Sequence, residues 1–189
     1  LEYGTLTPKP QDGNPKPRLF RLIEEKSIQN AMGFNNDGLD KIKARASKVY
    51  PFSIPLIANI GKNKITPNDM AIKDYEILVK GLDSCCDAFV INISSPNTPN
   101  LRDLQSESFI NELFAALSNL TKKPLILKIA PDMSIDSAIS LCSTAANAGF
   151  KGLIINNTSV DYSLTPKAKD FGGISGQLIK DKSKELFKE

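Results

Sequence analysis

The stretch Ala88-Phe89-Val90-Ile91-Asn92-Ile93-Ser94-Ser95-Pro96-Asn97-Thr98-Pro99-Asn100 decides the fold. Its first half is an unbroken apolar run, bounded by turn signals and too short for a helix. It reads as a strand covered on both faces, the mark of parallel pairing. The run ends on an amide and passes straight into a polar loop held by two prolines. Ser95 precedes Pro96, so its backbone is extended and does not start a helix. The same unit recurs on either side. Ile54-Pro55-Leu56-Ile57-Ala58-Asn59 lies upstream; Pro124-Leu125-Ile126-Leu127-Lys128 and Gly152-Leu153-Ile154-Ile155-Asn156 lie downstream. The four runs end at 59, 92, 128 and 156, so they are spaced by 33, 36 and 28 residues. That is the period of a strand, a helix of roughly 12–15 residues and two short loops. No sequence repeat accompanies it, which argues against a solenoid.

Helical signals fill the intervals. Thr66-Pro67-Asn68-Asp69 reads as an N-cap with Pro in the first turn, ahead of the stripe Tyr75, Leu78, Val79, Leu82. Ser106 caps the stripe Phe109, Ile110, Leu113, Phe114, Leu117, and Ser134 caps a helix through Ile139 and Leu141 that Gly149 closes. Upstream, 37–49 is helical, with Leu39, Ile42, Ala46 and Val49 on one face. A short helix is expected over 24–30. Residues 5–21, with four prolines, read as a loop or a pair of turns.

All four runs finish on an amide or an amine: Asn59, Asn92, Lys128 and Asn156, with Asn157 next. Ligands of parallel α/β folds sit at the carboxyl ends of the strands. In an open, doubly wound sheet only the strands beside the switch point face the ligand; in a closed barrel every strand end does. The pattern therefore favours a (β/α)8 barrel. Such a barrel needs eight strands and about 250 residues. This chain of 189 residues supplies four, plus a possible strand over Leu1–Leu6, so either flanking sequence is missing and 1–189 is the central part of a single barrel domain, or the fold is something smaller.

Composition narrows the chemistry. With 41% hydrophobic and 24% charged residues the chain is folded and globular. The absence of His excludes a His-based triad, an HExxH site and most zinc sites; no metal is expected. Cys85, Cys86 and Cys142 form no C-x-x-C pair and read as reduced structural thiols, as in a cytosolic protein. The net charge of +3 is mild, and the cluster Lys9, Lys16, Arg18, Arg21 is broken by prolines without an aromatic ladder. It reads as solvated surface, with no nucleic-acid partner. No apolar run approaches the roughly 20 residues that cross a bilayer. The opening Leu1-Glu2-Tyr3-Gly4 carries no signal-peptide pattern and no initiator Met, which places the natural N-terminus upstream.

Three features are candidates for function. Lys128 puts an ammonium at the end of an apolar strand, costly unless an anion or polar ligand pairs with it; the plain alternative is a snorkelling surface lysine. The loop 92–100 presents Ser95 and several amides on a rigid frame. Gly172-Gly173-Ile174-Ser175-Gly176 is a weak candidate for a backbone nest that holds an anion.

Seven motifs then occur in order: Gly4-Thr5-Leu6-Thr7-Pro8, Asn14-Pro15-Lys16-Pro17-Arg18-Leu19-Phe20-Arg21, Met32-Gly33-Phe34-Asn35-Asn36, Asn59-Ile60-Gly61-Lys62-Asn63, Asn92 to Pro99, Lys128-Ile129-Ala130-Pro131-Asp132 and Gly172 to Gly176. On these the chain closely resembles the class 2, quinone-dependent dihydroorotate dehydrogenases, bacterial in type. Class 1 members carry Cys where this chain has Ser95. The resemblance implies a barrel with FMN at its carboxyl face that oxidises dihydroorotate to orotate in pyrimidine biosynthesis and passes the electrons to a membrane quinone. It implies peripheral attachment on the cytoplasmic side of the inner membrane, through segments not in this sequence. It makes Ser95 the catalytic base, and Thr5, Asn59, Asn92, Lys128, Asn156 and Gly176 flavin contacts. Asn30, Ala31, Met32, Gly33, Phe34, Asn92, Asn97, Asn157 and Thr158 match the orotate-binding positions. Asn156 stands where Thr is more usual, Asn100 where Gly is frequent, and Leu178 where Pro is common. The family's glycine-rich first strand, its phosphate-binding last strands and its N-terminal helical pair are not in this sequence. Two competing readings are another flavin barrel acting on pyrimidine-like rings, which would use a catalytic Cys, and a piece without catalysis.

Overall fold

A computed structural model describes residues 1–188. Five parallel strands form its centre: β1 (Glu2–Leu6), β4 (Ile57–Ile60), β5 (Ala88–Asn92), β6 (Leu125–Ile129) and β7 (Gly152–Ile155), hydrogen-bonded in that order. Helices α1 (Gly38–Ala46), α2 (Ala71–Leu82), α3 (Glu107–Ser118) and α4 (Ile135–Ala148) link them, and each packs on its successor. A second, antiparallel sheet joins β2 (Leu19–Leu22), β3 (Ser27–Asn30) and β8 (Gly173–Gly176), and α5 (Lys180–Lys188) follows it. The regular β-α alternation is that of a (β/α)8 barrel. The barrel is not closed: among the described residues β1 and β7 are each paired on one side only.

The apolar pattern places the core. Every residue of β5 is buried, with Phe89, Val90 and Ile91 fully so, because the strand lies mid-sheet with helices behind it and other strand faces in front. The stripes Leu78, Val79, Leu82 and Ile110, Leu113, Leu117 close over the sheet from outside. Burying side chains of this size contributes roughly 1.5–3 kcal/mol each. β7, by contrast, is half-buried at all four positions, as befits a strand with one free edge.

The caps at Ser106 and Ser134 form as expected: each hydroxyl accepts from the amide three residues on, Phe109 at 3.4 Å and Ser137 at 3.2 Å. Gly149 ends α4 with φ +115°. Thr66 caps nothing; a short 3-10 turn at Asn68–Met70 precedes α2 instead.

Two further expectations are corrected. The short helix over 24–30 is absent: residues 19–30 form the β2–β3 hairpin, turned at Lys26 with φ 45°. Pairing with β8 overrides a weak helical propensity there, since Gln29 is fully buried and its amide binds the backbone of Lys169 and Phe171. The Gly172–Gly176 segment is likewise no nest, because Gly173–Gly176 is strand β8, paired to β3.

Candidate active site

The polar strand ends converge. Thr5, Asn59 and Asn92, from three neighbouring strands, form one hydrogen-bonded cluster at the carboxyl face. Thr5 Oγ1 donates to Asn59 Oδ1 (2.7 Å), and Asn92 Nδ2 donates to both Thr5 Oγ1 (3.0 Å) and Asn59 Oδ1 (3.3 Å). A bulge in β1 between Gly4 and Leu6 aims Thr5 at Asn59. Gly4 is required for it: φ is +126°, and a Cβ there would lie 2.3 Å from the Asn59 carbonyl oxygen. Asn59 Nδ2 donates in turn to Glu2 Oε1 at 2.5 Å, and that same oxygen lies 3.6 Å from Lys128 Nζ. The lysine is thus paired and mostly covered, not snorkelling.

These groups line a cleft of about 220 Å³ together with Asn30, Met32, Gly33, Phe34, Ser95, Asn97, Asn157 and Thr158. The hairpin supplies one wall: Asn97 Nδ2 donates to the Asn30 carbonyl (3.3 Å) and to Asn30 Oδ1 (3.2 Å). Gly33 (φ 72°) and Phe34 (φ 52°) turn the chain back over the cleft. The left-handed geometry at Phe34 costs about 1–3 kcal/mol and seats its ring over Gly61, beside the Thr5 methyl group. Opposite, Thr158 sits against Gly173, where any side chain would strike its hydroxyl.

Ser95 is buried in the loop after β5, and its Oγ accepts the Asn97 amide at 3.2 Å. That bond uses the hydroxyl as acceptor and leaves its proton uncommitted among the described residues. The titratable residues lining the cleft are Glu2 and Lys128. Ser94, the neighbour, orders the amides around it. Its Oγ donates to Asn92 Oδ1 (3.0 Å) and accepts from Asn157 Nδ2 (2.7 Å). Asn92 is thereby oriented with its amine toward Thr5 and Asn59.

A larger open groove of about 1160 Å³ adjoins the cleft and shares Lys128, Asn157 and Thr158 with it. Asn156 and Gly176 line the groove rather than the cleft, and Asn156 Oδ1 accepts from Ser183 Oγ at 3.1 Å. Ala31 lines neither; it is buried behind the hairpin, its amide donating to the Arg18 carbonyl. Behind the cleft, Lys62 is buried and donates to the Thr66 carbonyl at 2.8 Å. Burial pushes its ammonium below the usual lysine range, and nearby Asp74 only partly offsets this.

Glu2, Ser94, Arg102 and Asp132 were not singled out by sequence reasoning. Arg102 Nη1 and Asp132 Oδ2 form an ion pair of 2.8 Å just behind the strand-end loops. Burial raises the Asp132 carboxyl, but hydrogen bonds from Ser159, the Val160 amide, Arg102 and Lys182 outweigh it and hold the group below the ordinary aspartate value. The readable signal was opposite charges shortly after successive strand ends, on the face where ligands sit.

The sequence profile of the family described as dihydroorotate dehydrogenase matches residues 1–189. The chain belongs to that family. It is 62% identical over 188 residues to the dihydroorotate dehydrogenase (quinone) of a Nitratiruptor species, covering 100% of this chain and 54% of the relative. It is 44% identical to the dihydroorotate dehydrogenase (quinone) of Thermus thermophilus, covering 99% of this chain and 55% of that protein. The solved ligand-free DHODH of Eimeria tenella superposes with a TM-score of 0.89 at 34% identity, over 98% of this chain and 59% of that one. The chain spans about half the length of the curated relatives it matches. No helix among the described residues is long and apolar enough to cross a membrane.

Proposed function

We propose that this chain is the substrate-facing part of a dihydroorotate dehydrogenase that converts dihydroorotate to orotate in pyrimidine biosynthesis, with FMN as hydride acceptor and a membrane quinone as final acceptor. The observation that carries the reading is the enclosure of Ser95 by a ring of amides in a cleft whose one lining carboxylate, Glu2, is already engaged by Asn59 and faces Lys128.

Orotate presents imide donors and acceptors together with a carboxylate. Asn30, Asn92, Asn97 and Asn157 supply both halves of such pairs, and Thr158 adds a hydroxyl. Forming the C5–C6 double bond removes a proton from C5 and a hydride from C6. Ser95 takes the C5 proton. Serine is a weak base, so the step relies on a dry, preorganised pocket and a water relay outward.

The residues present fit a flavin. Thr5, Asn59, Asn92 and the Lys128 ammonium form a continuous polar edge, and the adjoining groove continues past Asn156 and Gly176 along the free side of β7. FMN, when bound, supplies the two-electron acceptor for the hydride. Lys128 would hold a fixed cation where negative charge accumulates on reduction. Met32, Gly33 and Phe34 shape the wall against the substrate, with buried Ala31 packed behind them. The quinone comes from the relatives' names and implies peripheral contact with the membrane, placed here on the cytoplasmic side of the inner membrane. The test is anaerobic addition of dihydroorotate to the full-length purified protein. One equivalent of orotate should form per flavin without added quinone, and turnover should continue with it. A protein that makes no orotate would refute the reading.

A further inference from the structure

We propose that Arg102 is a positioning residue for this reaction: its guanidinium clamps the loop carrying Ser95 to the loop carrying Asn157 and Thr158. The proposal rests on the dehydrogenase reading for its kinetic consequence, and on geometry alone for the clamp.

Arg102 lies in the short 3-10 turn Leu101–Leu104, beyond the two prolines of the Ser95 loop. Its planar fork spends donors on three different partners. Nε donates to the Ser94 carbonyl (2.9 Å), Nη2 to the Thr158 carbonyl (2.7 Å) and Nη1 to Asp132 Oδ2 (2.8 Å). Those partners belong to the loops after β5, β7 and β6, so one side chain ties three strand ends together. The Ser94 carbonyl is bonded directly to the Ser95 nitrogen, and the Thr158 carbonyl follows Asn157 by one residue. A shift at either carbonyl moves the base or the ring-binding amide relative to the other.

Two further contacts make the clamp rigid. Gln105 accepts the Ala130 amide at 2.8 Å and donates to the Arg102 carbonyl at 3.3 Å, fixing the turn to the end of β6. Asp132 also accepts from Ser159 Oγ (2.5 Å) and the Val160 amide (2.9 Å), fixing the far loop from below. The Arg102 and Asp132 side chains are 19% and 16% exposed, so water does not compete freely for either. Arg102 itself does not line the cleft.

Lysine is not equivalent at this position. A single ammonium on a flexible stem can meet Asp132 or one carbonyl, but it lacks the fork that spans both carbonyls. Arg102→Lys therefore preserves charge and releases the clamp. Displacing catalytic groups by about 1 Å costs on the order of 10²-fold in rate.

The experiment compares full-length wild-type, Arg102→Lys and Arg102→Ala proteins, each loaded with its flavin. Hydrogen exchange is read at the amides of Ser94, Asn97, Thr158 and Ser159, and dihydroorotate oxidation is read in single turnover. In Arg102→Lys we expect faster exchange confined to these two loops, flavin content and melting temperature near wild type, and a rate lowered roughly 10–100-fold. The position of the pH profile should not move, since the base is unchanged. Added guanidinium ion should restore part of the rate in Arg102→Ala. Wild-type exchange in Arg102→Lys overturns the proposal whatever the rate does, and so does a wild-type rate alongside loosened loops. If Arg102→Ala does not fold, Arg102→Lys decides. If even the wild type makes no orotate, the dehydrogenase reading falls, while the exchange comparison still decides the clamp.

Discussion

Ser95→Ala separates the role of the hydroxyl in chemistry from its role in structure. Structurally the change removes one acceptor, the Oγ that takes the Asn97 amide at 3.2 Å. Such a bond contributes about 0.5–1.5 kcal/mol, and the loop keeps Pro96, the Arg102 contact to the Ser94 carbonyl and the Asn97–Asn30 pair. Folding stability should therefore fall by no more than about 1.5 kcal/mol, and orotate should still bind through the amides. The chemical loss is larger. A positioned general base contributes about 10²–10⁴-fold, and at 1.36 kcal/mol per tenfold that is roughly 3–5 kcal/mol of barrier. The lining residues offer no ready substitute, because the Glu2 carboxylate is engaged by Asn59 and faces Lys128. The assay is anaerobic stopped-flow oxidation of dihydroorotate by full-length protein, followed at the flavin absorbance, with melting and orotate titration as controls. Ser95→Cys should regain part of the rate above pH ~8, where a thiolate forms. Quinone reoxidation should be unchanged in both variants. A wild-type rate in Ser95→Ala would show that Ser95 is not the base and would shift attention to Ser94 or a bound water.

Other expectations follow from single contacts. Lys128→Ala removes the cation beside Glu2; flavin content should fall, and the flavin potential should move negative by roughly 30–60 mV, the equivalent of a charged hydrogen bond of about 1.5–3 kcal/mol. An unchanged potential in a redox titration would limit Lys128 to its structural pairing with Glu2 and refute the flavin role. Gly4→Ala should destabilise the full-length protein by about 1–3 kcal/mol and loosen the Thr5–Asn59 contact, because the new Cβ meets the Asn59 carbonyl; equal denaturation midpoints would refute this. Asp132 has a folded-state pKa below its unfolded value of about 3.9, so its stabilising effect is full above that pH and is lost as pH falls through the folded value. The urea stability gap between wild type and Asp132→Asn should accordingly be widest near neutrality and shrink below pH ~4; a gap that grows on acidification would contradict the sign.

The barrel strands were legible because they are apolar on both faces and evenly spaced. The ends of β4, β6 and β7 lie within one residue of the expected 59, 128 and 156, and that of β5 falls on 92. The amide pattern at those ends was legible for the same reason: polar residues closing buried strands have few places to go but a shared centre. Asn100 is also understandable, since its φ of 56° is a geometry that glycine and asparagine tolerate best. The hairpin was not legible. Ser27–Asn30 has no strong strand composition, and what makes it a strand is its pairing with Gly173–Gly176, some 140 residues away in sequence. Local propensity carries no trace of so distant a partner.

The same distance explains why the clamp and the Glu2–Lys128 pair escaped a reading by spacing. Each joins residues whose nearness is a product of barrel curvature: Glu2 and Lys128 stand three strands apart in sheet order, and Arg102 reaches two loops beyond its own. In a flat sheet, side chains from β1 and β6 would not meet, because two intervening strands at about 4.8 Å spacing separate them by more than about 14 Å. Their contact at 3.6 Å shows that the sheet curves inward and that Glu2 and Lys128 reach across the interior. The curvature thus brings Thr5, Asn59, Asn92 and Lys128 to one polar edge, and it is an outcome of packing α1 to α4 outside a twisted parallel sheet. The site chemistry was written in residue types at strand ends; its geometry was written in the helices that bend the sheet around them.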